Sequence, residues 1–193
     1  MNKILKFKIF NLKLQKGYTL AELLAVISIL VVISVAVSSI IFSTLRGSSK
    51  TRITTEVSQN GEYALSIISA IIADSRNITQ VNGSDIDDCT TPNPTPAGNP
   101  SITLKRMDGR TTRISCQTIS GVYTVASNGA SLLNVRTVKA ASCSFSCTQV
   151  VQDPYSIPIV NVSFNVSEVG VGQFESKSSA NFNGSSSLRV YSP

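Results

Sequence analysis

An uncharged apolar run of 23 residues, Leu23 to Leu45, constrains the fold of this chain more than any other feature of its sequence. At a helical rise of about 1.5 Å per residue, the run is long enough to cross the roughly 30 Å hydrocarbon core of a bilayer. The residues before Gly17 include no acid and five lysines: Lys3, Lys6, Lys8, Lys13 and Lys16. Such a basic flank is retained in the cytoplasm. We therefore expect a leader of residues 1–17, a membrane helix and an exported carboxyl-terminal part.

The composition excludes several common functions. The chain has no histidine, so it lacks Ser-His and Cys-His nucleophile pairs and zinc sites that contain histidine. We expect no enzymatic activity, no cofactor and no metal site. After the leader, 12 basic side chains are balanced by 11 acidic ones, and this is not the concentrated basic surface that nucleic-acid binding requires.

Four basic residues are close together in the sequence: Lys105, Arg106, Arg110 and Arg113. We interpret them as the solvent-exposed face of a hairpin. Side chains alternate along a strand, so Lys105 and Arg113 can lie on a different face from Arg106. Contact with DNA or with another anionic surface is the less favoured alternative.

All four cysteines follow the apolar run: Cys89, Cys116, Cys143 and Cys147. An even number in an exported segment predicts two disulfides, and three pairings remain open. In an uninterrupted strand the Cα atoms of Cys143 and Cys147 would be about 13 Å apart, beyond the disulfide limit of about 7 Å. Either the segment bends there or each of the two cysteines pairs elsewhere.

A short motif, Lys16-Gly17-Tyr18-Thr19-Leu20-Ala21-Glu22, leads into the apolar run. A basic residue, glycine, an aromatic residue and a glutamate four positions later, followed by an apolar helix, resemble the cleavage and methylation motif of type IV prepilins. The resemblance covers about the first third of the chain. It implies that a prepilin peptidase cuts between Gly17 and Tyr18 and methylates the new amino group of Tyr18, where the family usually has phenylalanine.

Glu22 is the sole charged residue between the leader and Arg46. A carboxylate at the edge of an apolar helix is costly unless it finds a partner. The resemblance implies that this partner is the amino group of Tyr18 on the adjacent subunit, so that Glu22 sets the axial register of assembly. The alternative is that Glu22 lies at the lipid headgroups and reaches water.

Beyond Gly47, apolar residues recur at intervals of three and four as far as about Ser75, which predicts an amphipathic helix. The expected organisation is a hydrophobic helix over 18–46, its amphipathic continuation over 47–76, and an exported antiparallel β domain over 77–193. The candidate strands are Ser101–Arg106, Thr111–Cys116, Val122–Ala126, Ser142–Val151, Ile157–Val166, Phe174–Phe182 and Ser187–Tyr191. The predicted hairpin turns are Asp108-Gly109, Asn128-Gly129 and Asn183-Gly184.

A long helix followed by an antiparallel sheet is an α+β fold that resembles pilins and pseudopilins, and in finer detail their minor subunits of the W and J type. The predicted long helix, which we call the stem, has no glycine between Gly17 and Gly47 and no proline before Pro92, which favours a minor or priming subunit.

We predict a subunit of a type IV pilus or a type II secretion-like pseudopilus. Its partners would be the prepilin peptidase, other pilin subunits and, before assembly, the inner membrane; the filament would be periplasmic or extracellular. The alternative is an uncleaved, membrane-anchored binding module.

Overall fold

The computed structural model describes residues 19–86, 88–91, 93–96, 98–150, 156–170 and 177–189. Within these ranges one helix, α1 (Leu20–Ala73), is followed by nine strands. They are β1 (Ser75–Val81), β2 (Ser84–Asp85), β3 (Ser101–Arg106), β4 (Thr111–Ile119), β5 (Val122–Ser127), β6 (Ala130–Ser131), β7 (Val138–Thr148), β8 (Ile159–Glu168) and β9 (Ser179–Ser187). The strands form two antiparallel sheets, ordered β2-β1-β3-β4-β5-β6 and β7-β8-β9. The predicted α+β class is confirmed.

The chain divides between Leu45 and Arg46 into two compact units. The described part of the first unit is the start of α1, and none of its residues is buried. The second unit contains the rest of α1 and both sheets.

The second half of α1 supplies one face to the core of the second unit. Its buried residues recur at intervals of three and four: Val57, Gly61, Ala64, Ile68 and Ile72. This spacing places them on one side of a helix, as the apolar periodicity of the sequence predicts. The helix ends at Ala73, and the Ser75 hydroxyl donates to the carbonyl of Ile71 at 2.6 Å as the chain enters β1.

The three-stranded sheet contributes an apolar inner face. Along β8, every second residue is buried: Val160, Val162, Phe164 and Val166. The ring of Phe164 stacks on that of Phe182 in β9, with centroids 5.5 Å apart. The same alternation places the intervening β8 residues on the opposite face of the sheet.

The predicted strands agree with the structure in part. Six of the seven candidates overlap β3, β4, β5, β7, β8 and β9. The seventh candidate begins at Ser187, which is the last residue of β9; its next two residues, Leu188 and Arg189, lie outside any strand, so the prediction is wrong there. Val151, residues 174–176 and residues 190–191 of the candidates lie outside the described residues.

Two of the three predicted hairpin turns are confirmed. Asp108-Gly109 joins β3 to β4 and Asn128-Gly129 joins β5 to β6, and both glycines have positive φ. The prediction of a turn at Asn183-Gly184 is wrong, because both residues lie within β9 and Gly184 pairs with Val162. Gly184 has a packing role there: a Cβ atom would lie 2.6 Å from Cδ1 of Leu65.

Gly61 allows α1 to approach β9 closely. A Cβ atom at this position would lie 2.1 Å from Cε2 of the Phe182 ring. Glycine inside a helix normally costs about 1 kcal/mol relative to alanine, so its presence here reflects this contact.

We predict that Gly61→Ala destabilises the protein by about 1–3 kcal/mol, because the added methyl group displaces the Phe182 ring from its stack on Phe164. The matched control is Gly47→Ala, since nothing lies within 4 Å of the Cβ position at Gly47. The control should be neutral or gain up to about 1 kcal/mol in helix propensity. Denaturant unfolding followed by near-ultraviolet circular dichroism measures both. Equal stability of the two variants would contradict the packing assigned to Gly61.

Candidate functional site

The candidate site is the beginning of α1, where Thr19 caps the helix. The backbone N–H of Glu22 donates to the Thr19 hydroxyl at 3.3 Å and to the Thr19 carbonyl at 3.0 Å. The N–H of Leu23 donates to the same carbonyl at 3.2 Å. Threonine at the cap with glutamate three residues later is the pattern of a capping box. The prediction from sequence missed this role, although the Thr19-Leu20-Ala21-Glu22 spacing carries the signal.

Glu22 lies in the first turn of α1 and is exposed. A carboxylate at this end of a helix interacts favourably with the helix dipole. Among the residues that the structure describes, no cation forms an ion pair with Glu22. Its carboxylate is therefore stabilised in part by the helix end and remains accessible to a cation from outside the described chain.

The segment after Glu22 presents an uninterrupted apolar surface. Every residue from 20 to 45 is exposed, including Leu24, Ile33 and Phe42, whose exposed fractions are 59%, 52% and 66%. Within the described residues, α1 is the one helix long and apolar enough to cross a membrane. Monomeric soluble proteins rarely expose such a large contiguous apolar surface, so this segment requires a lipid or protein environment.

Five of the six hydroxyl groups in this apolar segment are satisfied within the helix. Each of the five donates to a carbonyl three or four residues earlier, at 2.8 Å in every case: Ser28, Ser34, Ser38, Ser39 and Thr44. Such back-bonding removes the cost of placing a free hydroxyl in hydrocarbon. These five polar side chains are therefore compatible with burial in a bilayer or among other apolar helices.

Gly17 and Tyr18, the predicted cleavage and methylation residues, lie outside the described residues. Their role stays a prediction. The described chain begins immediately after them at Thr19, the capping residue.

The four cysteines form two disulfides, Cys89–Cys147 and Cys116–Cys143, with Cα atoms 5.5 Å and 6.3 Å apart. Of the two alternatives for Cys143 and Cys147, the second is confirmed: both lie in β7 and each pairs elsewhere. Cys116 is in β4, so its bridge joins the six-stranded sheet to the three-stranded sheet.

Residues 89–100 include four prolines, and we call this segment the proline-rich loop. The Cys89–Cys147 bridge ties its start to β7. The side chain of Asn93 donates to the carbonyl of Cys147 at 2.9 Å and accepts from its N–H at 2.8 Å. The N–H of Gln149 donates to the carbonyl of Cys89 at 3.1 Å. β7 is an edge strand, and this loop occupies backbone groups that would otherwise be open to another strand.

Three of the four clustered basic residues are engaged within the domain, since Arg110 Nε lies 3.8 Å from Asp108 Oδ2. Arg106 Nε donates to Asp74 Oδ2 at 3.0 Å, and the carboxylate raises the pKa of Arg106. Arg113 donates to the hydroxyl of Ser101 at 3.2 Å. The four residues thus do not act as one basic patch, in agreement with the interpretation as a hairpin surface.

Comparisons of this chain with protein-family models, with curated proteins and with solved structures found no match. The functional assignment therefore depends on the geometry described above and on the sequence motif.

The disulfide pattern predicts the labelling of each single-cysteine variant. Alkylation of the wild-type protein without reduction should label no cysteine, and alkylation after reduction should label four. Cys147→Ser should release one thiol, that of Cys89, and weaken the domain by about 2–5 kcal/mol. Peptide mapping by mass spectrometry identifies the labelled residue. Labelling of Cys116 or Cys143 in this variant would contradict the pairing.

Proposed function

We propose that this chain is a prepilin-type structural subunit of a type IV pilus or a type II secretion-like pseudopilus. A prepilin peptidase removes residues 1–17, and the apolar helix then moves from the membrane into a bundle of helices from neighbouring subunits. The observation that carries the proposal is the fully exposed apolar half of α1, which starts directly after the Lys16-Gly17-Tyr18 motif. Hydrogen bonds within the helix satisfy five of the six hydroxyl groups on this surface, which lowers the cost of burying it in either environment.

Glu22 is the assembly residue in this proposal. It is the sole charge in the segment from Thr19 to Leu45, so moving it through an apolar environment without a partner is unfavourable. Cleavage after Gly17 creates a cation, the amino group of Tyr18. An ion pair between this group and Glu22 of the adjacent subunit compensates both charges and fixes the axial position of the incoming subunit.

A minor or priming position in the filament is supported by the regularity of the stem. Helical structure continues from Leu20 to Ala73, and no glycine or proline occurs in it before Gly47. The part of the helix from 20 to 46, which has no glycine or proline to weaken it, resists local unwinding. It suits a subunit that starts or ends a filament better than one that must extend under load.

An extracytoplasmic position of the β domain is supported by its two disulfides, since such bonds persist in oxidising compartments. The domain would face the periplasm or the exterior while the leader remains in the cytoplasm. The subunit acts through assembly and has no enzymatic role in this proposal.

Gly17→Leu should block maturation, because the peptidase must accept a backbone without a side chain beside the bond it cuts. The expected product is a full-length precursor that stays in the membrane. Gly47→Leu is the matched control, since it makes the same change at a position with no neighbour within 4 Å of its Cβ, and it should be processed normally. Denaturing gels separate precursor from product. A shortened protein in the Gly17→Leu strain would refute the cleavage site.

Glu22→Gln should give processed protein that accumulates in the membrane and is depleted at least about tenfold from sheared filaments, as expected for loss of one buried ion pair. Glutamine supports the capping box as well as glutamate does, so this variant removes the charge and keeps the cap. Glu22→Asp should be intermediate, because its side chain is shorter.

The control for this experiment is Glu62→Ala, which removes an exposed acid from the second half of the same helix. It should assemble like the wild type. Depletion of Glu22→Ala together with normal assembly of Glu22→Gln would assign Glu22 to helix capping alone and overturn the ion-pair mechanism.

A further inference from the structure

The outer face of the three-stranded sheet carries a three-by-three array of serine and asparagine, which we call the Ser/Asn grid. Its members are Ser142, Ser144 and Ser146 of β7, Asn161, Ser163 and Asn165 of β8, and Asn181, Asn183 and Ser185 of β9. Strand pairing aligns them in three rows: Ser142, Asn165 and Asn181; Ser144, Ser163 and Asn183; Ser146, Asn161 and Ser185. None of the nine is buried.

The grid has a regular spacing that follows from sheet geometry. Neighbours in a row are about 4.8 Å apart, and successive rows are about 6.7 Å apart, since alternate residues share a face. Nine hydrogen-bonding side chains therefore form a regular array on one face of the sheet. Each asparagine offers two donors and a carbonyl acceptor, and each serine offers a hydroxyl that serves as either.

The side chains of β8 and β9 in the grid are already ordered. The Ser163 hydroxyl donates to Asn183 Oδ1 at 2.6 Å, and Asn165 Nδ2 donates to Asn181 Oδ1 at 2.7 Å. The Ser185 hydroxyl completes the third row by donating to Asn161 Oδ1 at 2.7 Å. Ordered side chains lose less conformational entropy on binding a ligand.

A shallow depression of about 300 Å³ lies over two rows of the grid, the middle row that contains Ser163 and the lower row that contains Asn161. Its grid residues are Ser144, Ser146, Asn161, Ser163, Asn183 and Ser185. This volume is at the lower end of the range for small-molecule sites, and it matches a ligand unit that lies on the surface.

The chemistry of the grid selects one class of ligand. The nine side chains include no charge, so they offer no ion pair to the phosphates of nucleic acid or to an anionic headgroup. They include no aromatic or aliphatic side chain, so they offer no apolar contact to a helix. On the same face, the rows that adjoin the grid contain one lysine, Lys139, and one exposed isoleucine, Ile159, and both lie outside the grid. A neutral ligand that presents hydroxyl groups at a regular repeat complements both the charge and the hydrogen-bonding capacity of the grid.

We infer that the Ser/Asn grid binds a neutral polysaccharide through hydrogen bonds to the sugar hydroxyl groups. This inference goes beyond filament assembly and does not depend on it, because the grid belongs to the β domain and the assembly residues belong to the start of α1. The serine and asparagine side chains of the middle and lower rows make the direct contacts.

The test uses full-length protein in detergent micelles, passed over surfaces that carry dextran or mannan as neutral polysaccharides and dextran sulfate as the anionic one. We expect saturable binding to at least one neutral surface, and binding that is insensitive to salt since no ion pairs form. Retention on dextran sulfate alone would overturn the inference in favour of the basic side chains.

Asn183→Asp is the diagnostic variant, because it keeps the side-chain shape and replaces two N–H donors by a charged acceptor. Binding to the neutral polysaccharide should fall about tenfold, the effect of one or two lost hydrogen bonds. Asn99→Asp is the matched control: it makes the same change at an exposed loop residue outside the grid, and its binding should equal that of the wild type. Ser163→Val tests the central position without adding charge, and it should weaken binding by a similar factor.

Thiol labelling without reduction shows that each variant keeps both disulfides and hence its fold. Equal binding by wild type and by Asn183→Asp would overturn the inference, as would the absence of binding to every neutral surface. Concentration-dependent self-association that Asn183→Asp abolishes, without any binding to polysaccharide, would assign the grid to a second copy of this chain and would overturn it as well.

Discussion

The apolar surface of the first half of α1 is the constraint on which the rest of the molecule depends. From Leu23 to Leu45 the helix carries no charge, and its side chains are exposed within the isolated chain. Transfer of such a surface from water is favoured by roughly 25 cal/mol per Å². The chain therefore needs either lipid or other apolar helices around this segment. Hydrogen bonds within the helix satisfy five of its six hydroxyl groups, which lowers the cost of burying the segment in either environment.

The second unit is stabilised by close packing and by two covalent cross-links. One face of α1 fills the core, and Gly61 lets the helix contact the Phe182 ring. The Cys116–Cys143 bridge joins the two sheets, and the Cys89–Cys147 bridge fixes the proline-rich loop along the edge of β7. Asn93 of this loop occupies the backbone N–H and carbonyl of Cys147, which blocks the pairing of another strand at that point of the edge.

Sequence patterns predicted the features that depend on local order. The apolar run and the later helical periodicity gave α1, and alternation with turn residues gave most strands. The sequence did not predict β1, because its first residues are polar and follow the helix directly. Ser75 and Asn77 are in a strand through their pairing with Arg106 and Lys105 of β3, which no local pattern shows. The sequence predicted a turn at Asn183-Gly184. Both residues instead lie within β9, where Gly184 packs against Leu65 and leaves no room for a side chain. Such outcomes are decided by tertiary contacts that no local pattern contains.

In the candidate site too, the sequence predicted the features of a contiguous motif and did not predict those that depend on tertiary contacts. Gly17, Tyr18 and Glu22 were identified from a contiguous motif, and the capping role of Thr19 was present in the same stretch. The cysteine pairing remained open in the sequence, because it depends on which strand brings Cys116 beside Cys143. The Ser/Asn grid is likewise a product of register: alternation is visible in Asn161-Val-Ser163-Phe-Asn165, but the rows exist only after β7, β8 and β9 are aligned.

Cleavage after Gly17 can be measured by intact-mass spectrometry of the protein isolated from its native membranes and filaments. We expect the mass of residues 18–193 with two disulfides and one methyl group on the amino terminus of Tyr18. A filament fraction whose protein retains residues 1–17 would refute cleavage as the step that precedes assembly.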